Sequence, residues 1–152
     1  MLSGSLGRGL RALIPSQSSI NYFLALVGNE DHGFQPANFF DHGNPALQRT
    51  QSYARLFMVP GMFHCSGGPG PNTFDALTPL VKWVEAGVTP ETIVATKFVD
   101  DTPPAVQMTR PLCVFPKVAR YNGAGNTNIA ANFTCVTDEN DFNQKPAPKY
   151  GP

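Results

Sequence analysis

The sequence predicts a loop-rich α/β domain, because helical patterns alternate along the chain with strand-like segments. Residues 56–59 are four consecutive apolar residues followed by Pro60-Gly61, which is typical of a parallel strand buried on both faces. Helical spacing of apolar residues is found both before and after this segment. Composition is the third observation: 14 glycines and 15 prolines indicate many loops, while 11 phenylalanines provide core material.

The first helix is predicted over residues 18–27, with Gly28 expected to end it. The next stretch, residues 29–52, has no periodic pattern and is predicted to be a polar loop. The apolar face of the helix follows the i, i+3, i+4, i+7 spacing and consists of Ile20, Phe23, Leu24 and Val27.

A second helix is predicted after the loop at residues 60–71, and Gly87 is expected to end it. Pro79 lies within this pattern. It is tolerated if Thr78 caps the helix and Pro79 takes the first helical position; otherwise the helix is kinked there. The expected core face is Phe74, Leu77, Leu80, Val81, Trp83 and Val84.

The second half of the chain predicts a strand pair followed by loops. Residues 93–99 are rich in β-branched and aromatic residues and predict a strand, and residues 106–109 are expected to pair with it after a turn. Residues 110–113 are expected to leave the sheet, and residues 119–131 to form a glycine- and asparagine-rich loop. Residues 138–152 are predicted to be a polar, proline-rich tail.

Charge and hydropathy exclude two classes of partner. The chain has 11 basic and 11 acidic residues and no basic block, so we expect neither a nucleic acid nor an anionic membrane surface as partner. No apolar run reaches the ~18 residues that span a membrane. The N-terminal residues lack the apolar core of a signal peptide, whereas three cysteines and the glycosylation sequon at Asn132 are typical of an exported protein. We therefore expect that the N-terminal part of the ancestral protein is missing.

The loop after residues 56–59 presents the most informative residue, His64. A lone histidine in a loop often has only a packing or capping role. Here the strand, the Pro-Gly break and the following glycines favour a side chain that is positioned without being covered. Imidazole suits proton transfer because its ordinary pKa lies near neutral pH.

Three segments of the sequence closely resemble the C-terminal part of the tannase and feruloyl esterase family, over about Leu13 to Cys135. The resemblance implies a partial α/β-hydrolase fold without the lid domain, in residues 13–137, with residues 1–12 as a non-matching segment. It also implies a secreted serine esterase that cleaves galloyl or feruloyl esters. The segments are RLFMVPGMFHCSGGPGPNTFDAL, LVKWVEAGVTPETIVATKF and RPLCVFPKVARYNGAGNTNIAANFTC.

The same resemblance implies a role for His64 as the general base and acid, and for Cys65 as a cysteine that a disulfide ties to another cysteine beside the catalytic serine. Cys113 and Cys135 flank a 21-residue loop and form a reasonable disulfide pair in a region where the family also has a bridge. Three cysteines leave one, Cys65, without a partner in the chain. The alternative for Cys65 is a buried free thiol.

The other two members of a catalytic triad have no counterpart in the sequence. The family's acid precedes a Leu-Ile-Pro segment, but Arg11 stands at that position before Leu13-Ile14-Pro15. No Gly-x-Ser-x-Gly motif occurs, so the nucleophile serine is absent as well. Ser66 resembles a nucleophile only superficially, because it lies two residues from His64 and its surroundings match the histidine loop.

No cofactor or metal is expected, because the family's calcium site lies in the lid. The repeated Asp-His-Gly at residues 31–33 and 41–43 invites a metal interpretation for His32 and His42, but solvated turn residues are the more common case. The pair Asp100-Asp101 is interpreted as a turn signal without an acid–base role.

These observations predict the C-terminal fragment of an extracellular serine ester hydrolase, inactive alone, whose substrate in the complete enzyme is a phenolic ester. An incomplete gene model is favoured over true degeneracy because the His64 loop keeps the family pattern. The alternative is a degenerate, non-catalytic paralogue that acts as an interaction module. In that case an exposed sheet edge would favour self-association.

Overall fold

The computed structural model describes residues 16–30, 44–64 and 66–137, which form a small α/β unit. The predicted segment 1–12 and the predicted tail 138–152 lie outside these residues. The helices are α1 (Ser16–Glu30), α2 (Pro45–Gln51) and α3 (Leu77–Ala86). The strands are β1 (Thr73–Phe74), β2 (Thr92–Phe98), β3 (Val106–Cys113), β4 (Lys117–Tyr121) and β5 (Phe133–Thr137).

The strands form two small antiparallel sheets. One sheet has the order β1-β2-β3, and the other pairs β4 with β5. In the larger sheet β2 pairs with β3 along its whole length, from Thr92 opposite Cys113 to Phe98 opposite Val106. No helix in the part of the chain that the structure describes is long and apolar enough to cross a membrane.

The prediction of a parallel strand at residues 56–59 is wrong, because the segment does not form the hydrogen bonds of a regular strand. The segment makes one isolated antiparallel bridge, between Phe57 and Val114, and Phe115 N donates to Leu56 O at 2.8 Å. The next residue is Pro116, which has no N–H to continue a ladder. Within the described ranges the segment therefore has too short a partner to form a regular strand.

The apolar character of this segment on both faces is nevertheless used in the structure. Leu56 and Met58 pack against a cluster formed by helices α1 and α2, which we call the helix cluster. Phe57 and Val59 pack against a second cluster on β2 and β3, which we call the sheet cluster. Because side chains alternate along an extended chain, residues 56–59 separate the two clusters and belong to both.

The helix cluster confirms the predicted face of α1. Its buried members are Ile20, Phe23, Leu24 and Val27 from α1, with Ala46 from α2 and Phe115. The rings of Phe23 and Phe115 meet edge to face at 5.9 Å, a favourable arrangement for aromatic pairs. Helix α1 continues past Gly28 to Glu30, so the predicted stop is wrong. A single glycine lowers helix stability by only about 1 kcal/mol and can be tolerated.

Helix α2 corrects the prediction of a continuous loop over residues 29–52. Asn44 caps the helix, because its Oδ1 accepts from Ala46 N at 2.9 Å and from Leu47 N at 3.2 Å. Pro45 follows in the first turn, where its missing N–H costs nothing. Seven residues are too few to show a periodic apolar face, but Asn-Pro is a helix-start signal that the sequence contains.

Helix α3 begins differently from the prediction and ends as predicted. Ala76 occupies the N-cap position, and the carboxylate of Asp75 before it accepts from Leu77 N and Thr78 N, both at 3.0 Å. Pro79 therefore lies within the first turn, after its first position. Gly87 ends the helix with a φ of 68°, as expected of a left-handed C-cap.

The predicted core role of α3 is wrong for the described residues. The helix has no buried residue, and Leu77 and Val84 are 68% and 76% exposed. Trp83 is half-buried, with the guanidinium of Arg55 5.5 Å from its ring centroid. Phe74 is half-buried against the sheet cluster. The apolar face of α3 is present as predicted, but the described residues do not cover it.

The later strands follow the sequence more closely. The prediction for residues 93–99 is confirmed by β2 to within one residue, and residues 106–109 pair with it as expected. Residues 110–113 remain in β3 and do not leave the sheet. Pro111 is tolerated there because β3 is the last strand of its sheet. The predicted loop at residues 119–131 starts later, since β4 extends to Tyr121.

Candidate active site

His64 lies on a loop that follows the extended segment 56–59. Its side chain is exposed, as are those of Phe63 and Ser66 on either side of residue 65. Cys65 lies outside the described residues, and its bonding stays a prediction. The loop thus presents an imidazole at the surface, as the sequence predicts.

Backbone hydrogen bonds close this loop on itself. Phe63 N donates to Gly67 O at 3.2 Å, and Gly70 N donates to Gly61 O at 2.9 Å. His64 lies between the two residues of the inner bond, at the tip of the turn. The closed backbone therefore determines where residue 64 lies on the surface.

Glycine is required where the two sides of the loop approach each other. Gly68 has a φ of 98°, and a Cβ there would collide with Gly61 O. A Cβ at Gly70 would collide with Pro60 O. The glycine-rich sequence around His64 thus has a steric cause: these positions leave no space for a side chain.

A buried lysine connects the loop to the larger sheet. Lys97 on β2 donates from Nζ to Gly68 O at 2.8 Å and to Asp101 Oδ1 at 2.5 Å. Asn72 Nδ2 donates to the same Asp101 oxygen at 2.7 Å. The hydrogen bond from Lys97, followed by that from Asn72, lowers the pKa of the Asp101 carboxyl below its ordinary value. Asp101 therefore remains ionised at neutral pH.

A cleft of about 400 Å³ lies against the two ends of the loop. Pro60, Gly70 and Pro71 line one side of it, and residues of β3 and β4 line the other. Arg110 reaches the cleft with its guanidinium 4.5 Å from the ring centroid of Phe133. His64 is not among the lining residues, so the cleft contacts the ends of the loop and not its tip.

The structure contains a disulfide between Cys113 and Cys135, the pair that the sequence favours. Cys113 ends β3 and Cys135 lies in β5, so the bond joins the two sheets. At the candidate glycosylation site, Asn132 Nδ2 donates to Asn126 O at 2.8 Å within the loop before β5. Glycosylation of Asn132 stays a prediction.

No metal site emerges from the residues that the structure describes. Within residues 16–30, 44–64 and 66–137, no group of three or more His, Cys, Asp or Glu side chains is arranged to hold an ion. His32 and His42, for which a metal interpretation was considered, lie outside these ranges.

Comparison with known proteins places the chain in a family. The sequence model described as "Tannase and feruloyl esterase" matches residues 12–136, which include the His64 loop and both sheets. The chain belongs to the tannase and feruloyl esterase family. This family assignment confirms the resemblance on which the expected role of His64 is based.

Several known proteins are similar in sequence. A mono(2-hydroxyethyl) terephthalate hydrolase from Piscinibacter sakaiensis is 48% identical over 100 residues, which cover 66% of this chain and 17% of the relative. A probable feruloyl esterase from Arthroderma benhamiae is 44% identical over 64% of this chain and 18% of its own length. An uncharacterized esterase from Xanthomonas campestris is 35% identical over 92% of this chain and 27% of its own length.

Solved structures agree with the sequence comparison. An esterase from Aspergillus oryzae superposes with a TM-score of 0.64 at 30% identity, covering 82% of this chain and 25% of that structure. Feruloyl esterase B from Aspergillus oryzae gives a TM-score of 0.63 at 26% identity, with 81% and 24% covered. The chain thus spans about a quarter or less of the length of the solved structures it matches.

Sequence reasoning missed Lys97 and assigned Asp101 only to a turn. A signal for Lys97 was present, since strand alternation places it on the same face as Ile93 and Ala95, which are buried. A charged residue in register with a buried apolar face indicates a buried ion that needs a partner. The partner itself could not be read from the sequence, because Gly68 is 29 residues away.

Proposed function

We propose that this chain provides the base-bearing part of a serine carboxylic ester hydrolase that acts on phenolic esters such as feruloyl or galloyl esters. The observation that supports this most directly is the exposed His64, held on a closed glycine loop inside the region that matches the family. The described helices and sheets would form the C-terminal part of an α/β-hydrolase domain, without its lid.

In the proposed reaction the His64 imidazole moves one proton in each half of an acyl transfer. It accepts the proton of a serine hydroxyl while the serine oxygen attacks the ester carbonyl carbon. It then returns the proton to the departing alcohol oxygen as the ester C–O bond breaks. In the second half the imidazole takes a proton from water as the water oxygen attacks the acyl carbon, and it returns a proton to the serine oxygen as the acyl–serine bond breaks and the acid is released.

The serine and the orienting carboxylate of this reaction would come from segments of the complete enzyme that have no counterpart in this sequence. The sequence has no Gly-x-Ser-x-Gly motif, and Arg11 occupies the position of the acid. No cofactor is needed, because every step is a proton transfer or an attack by oxygen. We therefore expect the isolated 152-residue chain to show no measurable hydrolysis of methyl ferulate or methyl gallate.

A chimera tests the role of His64 directly. The segment of this chain that aligns with the Piscinibacter hydrolase replaces the corresponding segment of that enzyme, whose name gives mono(2-hydroxyethyl) terephthalate as substrate. The chimera should hydrolyse this ester, and His64→Ala should lower kcat/KM by about 100-fold or more, as loss of a general base does. Ser66→Ala is the matched control and should leave the rate near that of the parent chimera.

Two results would contradict the proposal. One is a folded chimera whose activity is unchanged by His64→Ala. The other is a folded chimera with no activity on the ester at all, because the segment would then fail to supply a working base. Hydrolysis by the isolated chain, if His64→Ala abolished it, would contradict only the expectation that this chain is inactive alone.

The exposed apolar face of α3 favours a second candidate, a non-catalytic interaction module that associates with a second copy. Leu77, Leu80 and Val84 are each about half exposed or more. Light scattering of the purified chain discriminates between the candidates. Association that Val84→Lys abolishes, together with an inactive chimera, would favour the interaction module over the enzyme.

We also propose an extracellular location. The disulfide between Cys113 and Cys135 supports it, because such bonds persist in oxidising compartments. Thiol labelling of the protein taken directly from its source should leave both cysteines unmodified until a reductant is added. Labelling of both without reductant would contradict this location.

A further inference from the structure

Lys97 is a buried cation on the core face of the larger sheet. Its side chain is 11% exposed, and β2 places it on the same face as Ile93 and Ala95, which belong to the sheet cluster. An ammonium group taken from water into such surroundings is unfavourable unless it is paired and hydrogen-bonded. An apolar residue at position 97 would pack on this face without that cost, so the lysine calls for a reason beyond stability.

The hydrogen-bond partners of Lys97 show which parts of the chain it connects. One is Gly68 O at 2.8 Å, on the loop that carries His64, and the other is Asp101 at 2.5 Å, just beyond β2. Asn72, the residue directly after the same loop, donates to Asp101 as well. Lys97 and Asp101 therefore bind both the middle of the His64 loop and the residue that follows it.

The backbone around Asp101 is shaped to bring its carboxylate to this position. Asp100 and Asp101 have φ values of 53° and 55°, in the left-handed region that non-glycine residues seldom adopt. Aspartate tolerates this region better than most residues, because its short polar side chain can bond locally. These two left-handed residues lie shortly after β2, and the Asp101 carboxylate there accepts from Lys97 Nζ.

The tip of the loop contributes little apolar packing. Its closing residues are glycines at positions 61, 68 and 70, which contribute no side chain to any apolar cluster. Phe63, next to His64, is 62% exposed. Lys97 Nζ bonds Gly68 O, Asn72 Nδ2 bonds Asp101, and Asn72 N donates to Thr96 O of β2 at 3.2 Å, so these polar contacts connect the loop to the larger sheet.

We infer that Lys97 and Asp101 are positioning residues, which lock the His64 loop to strand β2 and thereby fix the imidazole where it can exchange a proton with its reaction partner. This inference rests on the proposed role of His64 as general base. The lock and the catalytic role are tested separately below, so that the failure of one can be distinguished from the failure of the other.

The lock is tested on the full 152-residue chain by amide hydrogen exchange. In Lys97→Met we expect the amides of Phe63 and Gly70, which close the loop, to exchange about tenfold faster or more, since a hydrogen bond from a charged group is lost. Amides of the β2–β3 ladder should keep their protection. Lys117→Met is the control, because it removes a lysine whose Nζ bonds the Glu91 carboxylate at 3.2 Å.

Two further variants keep the lock falsifiable if Lys97→Met does not fold. Asp101→Asn changes a side chain that is 44% exposed, and it should raise exchange at Phe63 and Gly70 while leaving the ladder unchanged. Lys97→Arg retains the cation and should restore part of the protection. Unchanged loop exchange in Asp101→Asn, or loss of ladder protection as large as that of the loop, would overturn the lock.

The consequence for catalysis is tested in the active chimera described above. Asp101→Asn should lower kcat while KM stays near the parent value, because the variant misplaces the base without altering the groups that bind substrate. A role in positioning is supported if Asp101→Asn lowers kcat strongly and Lys97→Arg, which retains the cation, lowers it only slightly. If Asp101→Asn speeds loop exchange but leaves kcat unchanged, the lock stands and its consequence for catalysis is overturned. If the parent chimera itself has no activity, the role of His64 is contradicted.

Discussion

The conformation of the His64 loop depends on a glycine at position 68. Its φ of 98° and the nearby carbonyl of Gly61 exclude a side chain for two independent reasons, backbone strain and steric collision. Gly87, at the end of α3, shares only the first reason: its φ is 68°, and an added Cβ would meet nothing within 4 Å. The two glycines therefore form a natural pair for separating strain from collision.

We predict that Gly68→Ala lowers the free energy of unfolding by clearly more than Gly87→Ala. The second change should cost about 1 kcal/mol, the usual penalty of a left-handed alanine. The first adds the collision with Gly61 O and should also open the hydrogen bond from Gly70 N. Urea unfolding followed by circular dichroism measures both variants. Equal losses would show that the loop relaxes freely around an added methyl group.

At the level of single residues, the sequence was sufficient to locate His64 but not its support. A histidine between a Pro-Gly break and a glycine run is a local pattern, and its exposure in the structure follows from that pattern. The contact of Lys97 with Gly68 depends on how β2 packs under the loop. Local patterns contain no information about such a contact until the register of the sheet is known.

Among the secondary structure elements, α1 was the most predictable because its apolar spacing is long and regular. Helix α2 was missed because a seven-residue helix shows too few turns for a period to emerge. The run at residues 56–59 was interpreted as a regular strand because it is apolar on both faces. The structure uses both faces but supplies only one bridge, and hydrogen-bond partners are not encoded in the run itself.

We predict that Phe23→Ala in α1 destabilises the protein by about 3–5 kcal/mol, the range typical of a buried aromatic truncated to alanine. Phe23 is 4% exposed and packs edge to face with Phe115, so the change removes contacts on both α1 and the chain after β3. Tyr22→Ala is the control, since Tyr22 is 68% exposed on the same helix. Thermal unfolding should show a large loss for the first variant and almost none for the second.

The disulfide joins elements of different sheets, so its removal should lower the stability of the whole described fold. We predict that the double change Cys113→Ser and Cys135→Ser lowers the free energy of unfolding by about 3 kcal/mol, as expected from closing a loop of this length. Cys65→Ser leaves this bond intact and serves as the control for replacing a sulfur. If the double variant unfolds at the same urea concentration as Cys65→Ser, the bond contributes little to stability.

At the scale of the whole molecule, three charged side chains connect parts that the two apolar clusters leave separate. Arg55 Nη1 bonds Glu91 Oε1 at 2.5 Å and Pro90 O at 2.9 Å, and its Nε donates to Gln51 O at 3.0 Å. Glu91 also binds Lys117 on β4 at 3.2 Å. The Glu91 carboxylate thus connects the start of β2 to the second sheet through Lys117 and to the end of α2 through Arg55.

These carboxylates make the folded state sensitive to acid. The hydrogen bond from Arg55, followed by that from Lys117, lowers the pKa of Glu91 below its ordinary 4.5. The contact with Lys97, followed by Asn72, lowers the pKa of Asp101 below 3.8. A group whose pKa is lower in the folded state stabilises the fold above its unfolded pKa, and this contribution is lost as the pH falls through the folded value.

We therefore predict that stability is nearly constant from pH 7 to about pH 5 and falls gradually as the pH drops below the ordinary carboxyl values, since the unfolded chain then binds more protons than the folded one. Urea midpoints measured between pH 7 and pH 3 test this. The double variant Glu91→Gln and Asp101→Asn should be less stable than the parent at pH 6 but should lose less stability on acidification, because neither amide titrates.

Exposed side-chain pairs are screened by salt, so the difference in stability between the parent and the double variant should also shrink at high ionic strength. If the double variant loses as much stability between pH 6 and pH 3 as the parent does, then these two carboxylates are not the source of the acid sensitivity.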